Sequence, residues 1–286
     1  MDRQRDRRAA IAQDTMRILR ERHYVVNGVT IDIASDISRT NENSVFIKQE
    51  EADCLEEGFA PKPGTQLIEL RDESTLEAIF RLCRQGERAF GVLNFASAKN
   101  PGGGFLNGAL AQEESLAIAS GLYDSQLKHP AYYDTNRACK SMAYTDCAIW
   151  SPDVVFFRDS SGNLLPRPVN ASVLTLPAVN FGQVLLKNEN AENAKKAMKR
   201  RMKIALSIFA AKGCETIVLG AYGCGVFRNS PEDVAGWWDE LLSEYGGHFR
   251  RVVFAVLDRS KTGGAFPAFK QTFCKTELID GTHYQR

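Results

Sequence analysis

The spacing of apolar residues changes near residue 66 and divides the chain into two parts. Before it, apolar residues recur at helical spacing over residues 6–22 and predict an amphipathic helix. Asn27-Gly28 then separates two short apolar runs, which indicates a β-hairpin with a type I′ turn. We therefore expect residues 1–65 to form an extension that packs on a core domain formed by residues 66–286.

From residue 66 onward, short apolar runs alternate with amphipathic segments. The predicted strands are 66–70, 89–95, 148–158, 172–176, 215–219 and 251–257. The predicted helices are 73–85, 112–123, 190–212 and 231–245, with Asp72 and Ser230 as N-caps of the first and last. Residues 124–146 are rich in Tyr, Asp and Asn and are expected to be irregular. This alternation predicts an α/β fold, a three-layer α/β/α domain with a mostly parallel or mixed central sheet.

Composition and charge exclude several classes of protein. A hydrophobic content of 44%, a charged content of 25% and a net charge of +1 are ordinary for a globular domain, so an anionic ligand needs a local site. Seven cysteines without a CxxC pair argue against a disulfide framework and a zinc site. The sequence offers neither a long apolar run nor a signal-peptide pattern, so we expect a cytoplasmic protein, or a nuclear one in a eukaryote.

A glycine triplet followed by two carboxylates is the most informative feature of the sequence. In Asn100-Pro101-Gly102-Gly103-Gly104 the backbone carries no side chains over three residues, which permits another group to approach closely. Gln112-Glu113-Glu114 follows where a helix is predicted to begin. An anion-binding loop that leads into an acid/base group is typical of an enzyme acting beside a phosphate-bearing group.

A second glycine-rich loop, Gly220–Asn229, connects a predicted strand to the helix capped by Ser230. It lacks the Lys-Ser/Thr of a Walker loop and does not match G-x-G-x-x-G, so a dinucleotide-dependent oxidoreductase is disfavoured. Both glycine loops follow strands, and in such sheets ligands bind at the carboxyl ends of the strands. We therefore expect the two loops to share one edge, where together they can hold a pyrophosphate.

The glycine triplet is followed, after seven intervening residues, by Gln112-Glu113-Glu114. This arrangement resembles the signature of the poly(ADP-ribose) glycohydrolases. The stretch Leu93–Ser97 and the loop Gly220–Asn229 resemble the microbial branch of that family. The resemblance implies a macrodomain over residues 66–260 and hydrolysis of the O-glycosidic bond between ADP-ribose units. Animal members carry Asn where this chain has Ser97, so we expect Asn100 to contact the terminal ribose instead.

The two adjacent carboxylates suit a mechanism with one acid/base group. On a helix neighbouring side chains diverge by about 100°, so Glu113 and Glu114 are not expected to flank a sugar from opposite faces. The resemblance implies that Glu114 is catalytic, that Glu113 binds hydroxyls of the adjoining ribose and that Phe227 packs against the terminal ribose. The expected substrate-binding residues are Asn100, Gly102, Gly103, Gly104, Gln112, Gly223, Cys224, Gly225, Val226 and Phe227. No metal and no cofactor is expected.

The expected substrate is poly(ADP-ribose) or ADP-ribosylated protein and the product ADP-ribose, in the reversal of ADP-ribosylation during the DNA damage response. We expect a monomer without a membrane partner that acts from the polymer end. Two alternatives remain open: a non-catalytic ADP-ribose-binding macrodomain, and a mono-ADP-ribosyl hydrolase. The carboxylate pair argues against a non-catalytic macrodomain. The choice between polymer and mono-ADP-ribosyl substrates depends on how the enzyme recognises the leaving group. A basic run over residues 195–203 is typical of a solvated helix face, with polymer contact as the alternative.

Overall fold

The structure is a computed structural model that describes residues 3–64, 66–258 and 264–274 and the backbone of residues 284 and 285. Its helices are α1 (Arg3–Glu21), α2 (Ala34–Asn43), α3 (Gln49–Glu57), α4 (Thr75–Arg84), α5 (Gln112–Ala119), α6 (Leu122–Leu127), α7 (Pro130–Ala138), α8 (Phe181–Leu186), α9 (Ala191–Ala211), α10 (Pro231–Tyr245) and α11 (Ala265–Phe273). Its strands are β1 (His23–Val26), β2 (Val29–Asp32), β3 (Val45–Ile47), β4 (Leu67–Arg71), β5 (Gly91–Ala96), β6 (Ala148–Arg158), β7 (Leu164–Pro177), β8 (Thr216–Leu219), β9 (Arg251–Ala255) and β10 (Tyr284–Gln285). Among the described helices, none combines the length and the apolar character needed to cross a membrane.

The central sheet has the strand order β10-β4-β9-β8-β5-β7-β6-β3 in the described residues. The strands β4, β9, β8, β5 and β7 pair in parallel, whereas β6, β3 and β10 join antiparallel. Strand residues alternate between two cores. Val92, Val173, Val218 and Val253 pack with α4 and α5. Leu93, Leu174, Leu219 and Phe254 pack with α9, α10 and α11. The predicted three-layer α/β/α fold with a mixed sheet is therefore confirmed.

The N-terminal elements pack against the antiparallel side of this sheet. Asn27 and Gly28 have φ of 52° and 76° and join β1 to β2, as the type I′ prediction requires. Side chains of α1, the hairpin and α2 form a small core with the outer side chains Val155 and Phe157 of β6. The strand β3 pairs with β6, so residues before 65 also contribute to the central sheet. The division at residue 65 stays a prediction.

Two local predictions about helix ends are wrong. The helix α4 begins after Ser74 rather than Asp72, because the Ser74 hydroxyl accepts the Glu77 amide and the Glu77 carboxylate accepts the Ser74 amide in return. The helix predicted over 112–123 stops at Ala119. Ser120 is extended and its hydroxyl bonds the Leu116 carbonyl, so the chain turns before α6 begins.

The prediction that residues 124–146 are irregular is also wrong, because much of α6 and all of α7 lie there. Pro130 occupies the first turn of α7, where its missing N–H costs nothing. Tyr132, Tyr133 and Asn136 are buried on the inner side of α7. These helices are short and their inner faces carry polar or aromatic residues, so the segment lacks a helical apolar pattern.

The two glycine-rich loops leave the sheet at the same edge, as predicted. The strand β5 ends at Ala96 immediately before the first loop, and β8 ends at Leu219 immediately before the second. Because β5 and β8 are parallel neighbours, both loops begin at the carboxyl ends of adjacent strands. The helix α10 begins after the second loop with Ser230 as its N-cap, which accepts the Asp233 amide.

Candidate active site

A cleft of about 1710 Å³ lies along this edge of the sheet. Its walls include both glycine loops and the first turn of α5. Of the predicted site residues, it is lined by Asn100, Gly103, Gly104, Gln112, Glu113, Glu114, Gly223, Cys224, Gly225, Val226 and Phe227. Gly102 lies beneath the cleft, where its amide donates to the Gln126 side chain at 2.8 Å. The structure therefore brings the sequence-predicted residues together in one place.

The first glycine loop packs closely against the two carboxylates. Gly102 and Gly103 have φ of 62° and 60°, a left-handed conformation that favours glycine. A β-carbon on Gly103 would stand 2.3 Å from Glu114 Oε1 and 3.2 Å from Glu113 Oε2. Glycine is needed at this position because the two carboxylates converge on the space that a β-carbon would occupy.

Glu113 is buried and fully held by protein donors. Its Oε1 accepts the Asn94 amide group at 3.2 Å and the Gln126 amide group at 3.0 Å, and its Oε2 accepts the Ser97 backbone amide at 2.7 Å. Burial raises the pKa of Glu113 to about 8, although these hydrogen bonds favour the charged form. The carboxyl group is therefore fixed in direction, and its burial favours the protonated form.

Glu114 lies at the surface of the cleft and is oriented by the first loop. Its Oε1 accepts the Gly104 amide at 2.9 Å. The two side chains leave the helix in different directions, as expected, but each bends toward Gly103. Both carboxylates thus approach one point from the α5 side, which leaves the opposite side of a bound sugar to other groups.

Gln112 connects α5 to β5 through its side-chain amide. The Nε2 group donates to the Leu93 carbonyl at 2.8 Å and to the Thr75 hydroxyl at 3.2 Å, while Oε1 accepts the Phe95 amide at 2.8 Å. Both amide protons are used inside the protein. These contacts explain why Gln precedes the two glutamates, and substrate binding by Gln112 stays a prediction.

Ser97 takes a structural position at the start of the first loop. Its hydroxyl accepts the backbone amides of Lys99 and Asn100 at 3.2 and 3.1 Å, and its own amide holds Glu113. Asn100 is exposed at the cleft wall, and its carbonyl accepts the Gly103 amide at 3.0 Å. The geometry leaves the Asn100 side chain accessible to a ligand, as its expected role requires.

The second glycine loop is open to the cleft at its centre. Gly223 has a φ of 74°, and a β-carbon there would stand 2.5 Å from Asn229 Nδ2 and 2.8 Å from Ala178 Cβ. Asn229 closes the loop by donating to the Gly223 carbonyl. A β-carbon on Gly225, in contrast, would meet nothing within 4 Å, and Val226 is 82% exposed. The backbone around Gly225 is therefore available to a ligand.

Cys224 and Phe227 occupy this loop in different ways. Burial raises the pKa of the Cys224 thiol to about 12, so it is not a thiolate nucleophile at neutral pH. Phe227 is half-buried, packs against the main core and lines the cleft. Its ring centroid is 6.3 Å from that of Tyr144 in a tilted arrangement. The aromatic wall thus consists of Phe227 supported from behind by Tyr144.

Asn94 and Gln126 hold the carboxylate and were missed from the sequence. Asn94 offered a signal, because it is a polar residue inside the apolar strand β5. Gln126 offered none, since it lies in the segment expected to be irregular. In the described part of the chain, no three His, Cys, Asp or Glu side chains form a cluster that could hold a metal ion.

Comparisons with known proteins agree with this geometry. The sequence model described as microbial-type PARG, catalytic domain, matches residues 12–159. None of the curated proteins matches the chain. The structure is similar to the crystal structure of poly(ADP-ribose) glycohydrolase from Thermomonospora curvata, with 36% identity, a TM-score of 0.89 and coverage of 94% of this chain and 100% of that one.

Two ligand complexes are also similar to this structure. The T. curvata enzyme bound to the inhibitor ADP-HPD has 36% identity, a TM-score of 0.87 and coverage of 94% and 100% of the two chains. Poly(ADP-ribose) glycohydrolase from Deinococcus radiodurans in complex with ADP-ribose has 39% identity, a TM-score of 0.77 and coverage of 83% and 96%. The chain belongs to the microbial-type poly(ADP-ribose) glycohydrolase family.

Proposed function

We propose that this protein is a poly(ADP-ribose) glycohydrolase that hydrolyses ribose–ribose O-glycosidic bonds with Glu114 as general acid and base. The observation that carries the proposal is the convergence of Glu113 and Glu114 on Gly103 beside an open glycine loop. The similar enzymes from T. curvata and D. radiodurans bear this activity in their names, and the latter holds ADP-ribose.

The second loop is suited to the diphosphate of the substrate. Backbone amides around Gly225 are accessible, and the N-terminus of α10 follows them. Loop amides and a helix N-terminus both favour an anion. The chain has a net charge of only +1, so these local groups supply the attraction. Phe227 then stands where a ribose attached to the diphosphate can pack against its ring.

Glu113 binds the ribose rather than moving the proton. Its carboxyl is held by Asn94, Gln126 and Ser97, so it cannot rotate toward a leaving group without losing those bonds. Burial raises its pKa to about 8 and so favours the neutral form, which lessens the negative charge beside the substrate diphosphate. A neutral carboxyl can also donate to a ribose hydroxyl, which fixes the sugar next to Glu114.

Glu114 supplies both proton transfers. Its carboxylic acid protonates the bridging oxygen while the bond from that oxygen to the anomeric carbon breaks, and positive charge develops on the ribose. The shortened polymer leaves with a free hydroxyl. The Glu114 carboxylate then accepts a proton from the water that attacks the anomeric carbon, which releases ADP-ribose and restores the acid.

The enzyme cleaves from the end of the polymer if the aromatic wall leaves no room for a further ADP-ribose unit beyond the bound one. Phe227 and its loop stand beside the bound terminal unit and are supported by Tyr144. A large aromatic ring there both orients the ribose and limits the space beyond it. The products are then mostly single ADP-ribose units. The last unit on protein stays attached, because a side-chain linkage presents a different leaving group.

The test is incubation of the chain with poly(ADP-ribose) and, separately, with mono-ADP-ribosylated protein, followed by quantification of free ADP-ribose. We expect release from the polymer only, no effect of EDTA, and no release by Glu114→Ala. Binding of ADP-ribose without any release would favour the non-catalytic alternative. Complete stripping of the mono-ADP-ribosylated protein would favour the mono-ADP-ribosyl hydrolase instead. A role in the DNA damage response stays a prediction.

A further inference from the structure

The helix α1 presents one face to the cleft, close to the first glycine loop. Gln4, Arg7, Arg8 and Ile11 line the cleft, and their spacing places them on one side of a helix. The helix is held there by the loop after Gly104. Arg5 donates to the Asn107 carbonyl at 2.9 Å and Arg8 donates to the Gly108 carbonyl at 2.8 Å. This basic face is therefore part of the cleft wall.

The basic face lies on the other side of Glu114 from the diphosphate loop. In the sheet, β8 and its loop lie on one side of β5, whereas β7 and β6 lie on the other. The helix α1 packs toward β6 and is tied to α5 by the Thr15 hydroxyl, which donates to the Ile118 carbonyl at 2.6 Å. Glu114, Ser115 and Ile118 line the cleft in succession along α5. The cleft thus continues from the carboxylate toward α1.

Arg7 has no ion-pair partner among the described residues. The basic run on α9 differs, because Lys195 pairs with Asp233 and Lys203 pairs with Glu56. Asp159, which also lines the cleft, accepts the backbone amides of Ser161 and Asn163. The guanidinium group of Arg7 is thus an unpaired positive charge at the wall of the cleft.

A general acid must stand between the bound sugar and the leaving group. If the terminal ADP-ribose occupies the space from the second loop to Glu114, the rest of the polymer leaves on the α1 side. Its nearest unit carries a diphosphate and an adenine. The α1 side offers matching groups, since Arg7 and Arg8 are cationic and Leu110 is apolar and 55% exposed.

We propose that Arg7, with Arg8 beside it, binds the diphosphate of the ADP-ribose unit next to the bond that is cleaved, and that Leu110 covers the adenine of that unit. This leaving-side subsite rests on the proposed function. It makes the enzyme prefer a polymer as the leaving group, because only a further ADP-ribose unit reaches the arginines. Smaller leaving groups gain nothing from them.

The test compares two substrates: poly(ADP-ribose), and an ADP-ribose whose terminal ribose carries a fluorogenic aryl leaving group. For Arg7→Glu we expect the KM for polymer to rise about three- to tenfold at low salt, as a partly exposed ion pair permits. The kcat for polymer and both constants for the aryl substrate should stay unchanged. Arg7→Lys should recover most of the KM, and about 0.5 M salt should shrink the difference by screening.

The matched control is Arg20→Glu, which makes the same charge change on an exposed residue of α1 outside the cleft. It should leave the KM for polymer unchanged. An equal rise of KM in the Arg7 and Arg20 variants, or no rise in either, would overturn the subsite. So would a parallel loss on both substrates in Arg7→Glu. Failure of the unaltered chain to cleave either substrate would overturn the proposed function itself, and the subsite with it.

Discussion

The two glycine-rich loops have similar compositions and follow neighbouring parallel strands, but different groups stand over their glycines. Above Gly103 are the carboxylates of Glu113 and Glu114, which belong to the protein. A β-carbon on Gly225 would meet no neighbouring atom within 4 Å. The first loop is therefore shaped around the protein's own carboxylates, whereas the second leaves space open at Gly225.

A glycine signature by itself does not identify the group that approaches the backbone. Glycine in such a loop indicates that some group approaches the backbone closely. At Gly103 the group is the protein's own carboxylate, so a side chain there would clash with Glu114. Substitutions in the first loop should therefore affect turnover most, and those in the second should affect affinity.

The largest effect is expected for Gly103→Val. The valine side chain must displace Glu114 Oε1, and the backbone must keep a φ of 60°, which is strained for Val. Loss of the positioned acid should lower kcat by about 10²–10⁴. Steady-state release of ADP-ribose from polymer measures it. The control Gly225→Ala, where the β-carbon meets open space, should keep near-normal kcat, and equal damage in both variants would remove the distinction between the loops.

A smaller and different effect is expected for Gly223→Ala. The β-carbon would stand 2.5 Å from Asn229 Nδ2 and 2.8 Å from Ala178 Cβ, so the second loop must shift. Misaligned amides should weaken ADP-ribose binding by roughly tenfold, the order of one lost hydrogen bond to a charged group. Calorimetry with ADP-ribose measures the affinity. Unchanged affinity together with a lower kcat would contradict the assignment of this loop to the diphosphate.

Phe227→Ala sharpens the comparison at the end of the second loop. The ring lines the cleft and is backed by Tyr144, so its removal leaves the ribose less well oriented. We expect kcat to fall about tenfold with a smaller change in KM, because misplacement of the reacting atoms slows the chemical step. Phe227→Tyr should retain most of the turnover. Digestion patterns of long polymer add a second measurement: release of short oligomers by the Ala variant would support the ring as the wall.

A separate prediction concerns stability and pH rather than turnover or binding. Burial raises the pKa of Glu113 from 4.5 to about 8. In the pH window between these two values, the folded protein keeps the Glu113 proton, whereas the unfolded chain releases it. The free energy of unfolding should therefore fall as pH rises through the window. Glu113→Gln cannot ionise and should flatten that slope. Urea unfolding at several pH values between about 5 and 9 measures it. An unchanged slope in Glu113→Gln would show that Glu113 is already ionised.

Both loops and most strands of the sheet were predictable because their signals are local, whereas β3, β10 and the first half of β7 were not predicted. Apolar runs locate β5 and β8, and the glycines follow each strand directly. Residues 148–158 and 231–245 match β6 and α10 to the residue for the same reason. In these segments the pattern of one element is sufficient.

The support for Glu113 was not predictable, because it comes from distant parts of the chain. Gln126 bridges Glu113 and the Gly102 amide, yet it lies on the six-residue helix α6, which is too short for a helical apolar pattern. The convergence of both carboxylates on Gly103 depends on how the first loop folds over α5. Arg7 likewise faces the cleft only because α1 packs against that loop.

The most direct test of the account is Glu114→Gln, which keeps the size of the side chain and its approach to the Gly104 amide but cannot transfer a proton. We expect kcat on poly(ADP-ribose) to fall by about 10²–10⁴. We also expect the ADP-ribose affinity, measured by calorimetry on the same preparation, to stay within a few-fold of that of the unaltered chain. Near-normal turnover in Glu114→Gln would contradict the assignment of the catalytic proton transfer to Glu114.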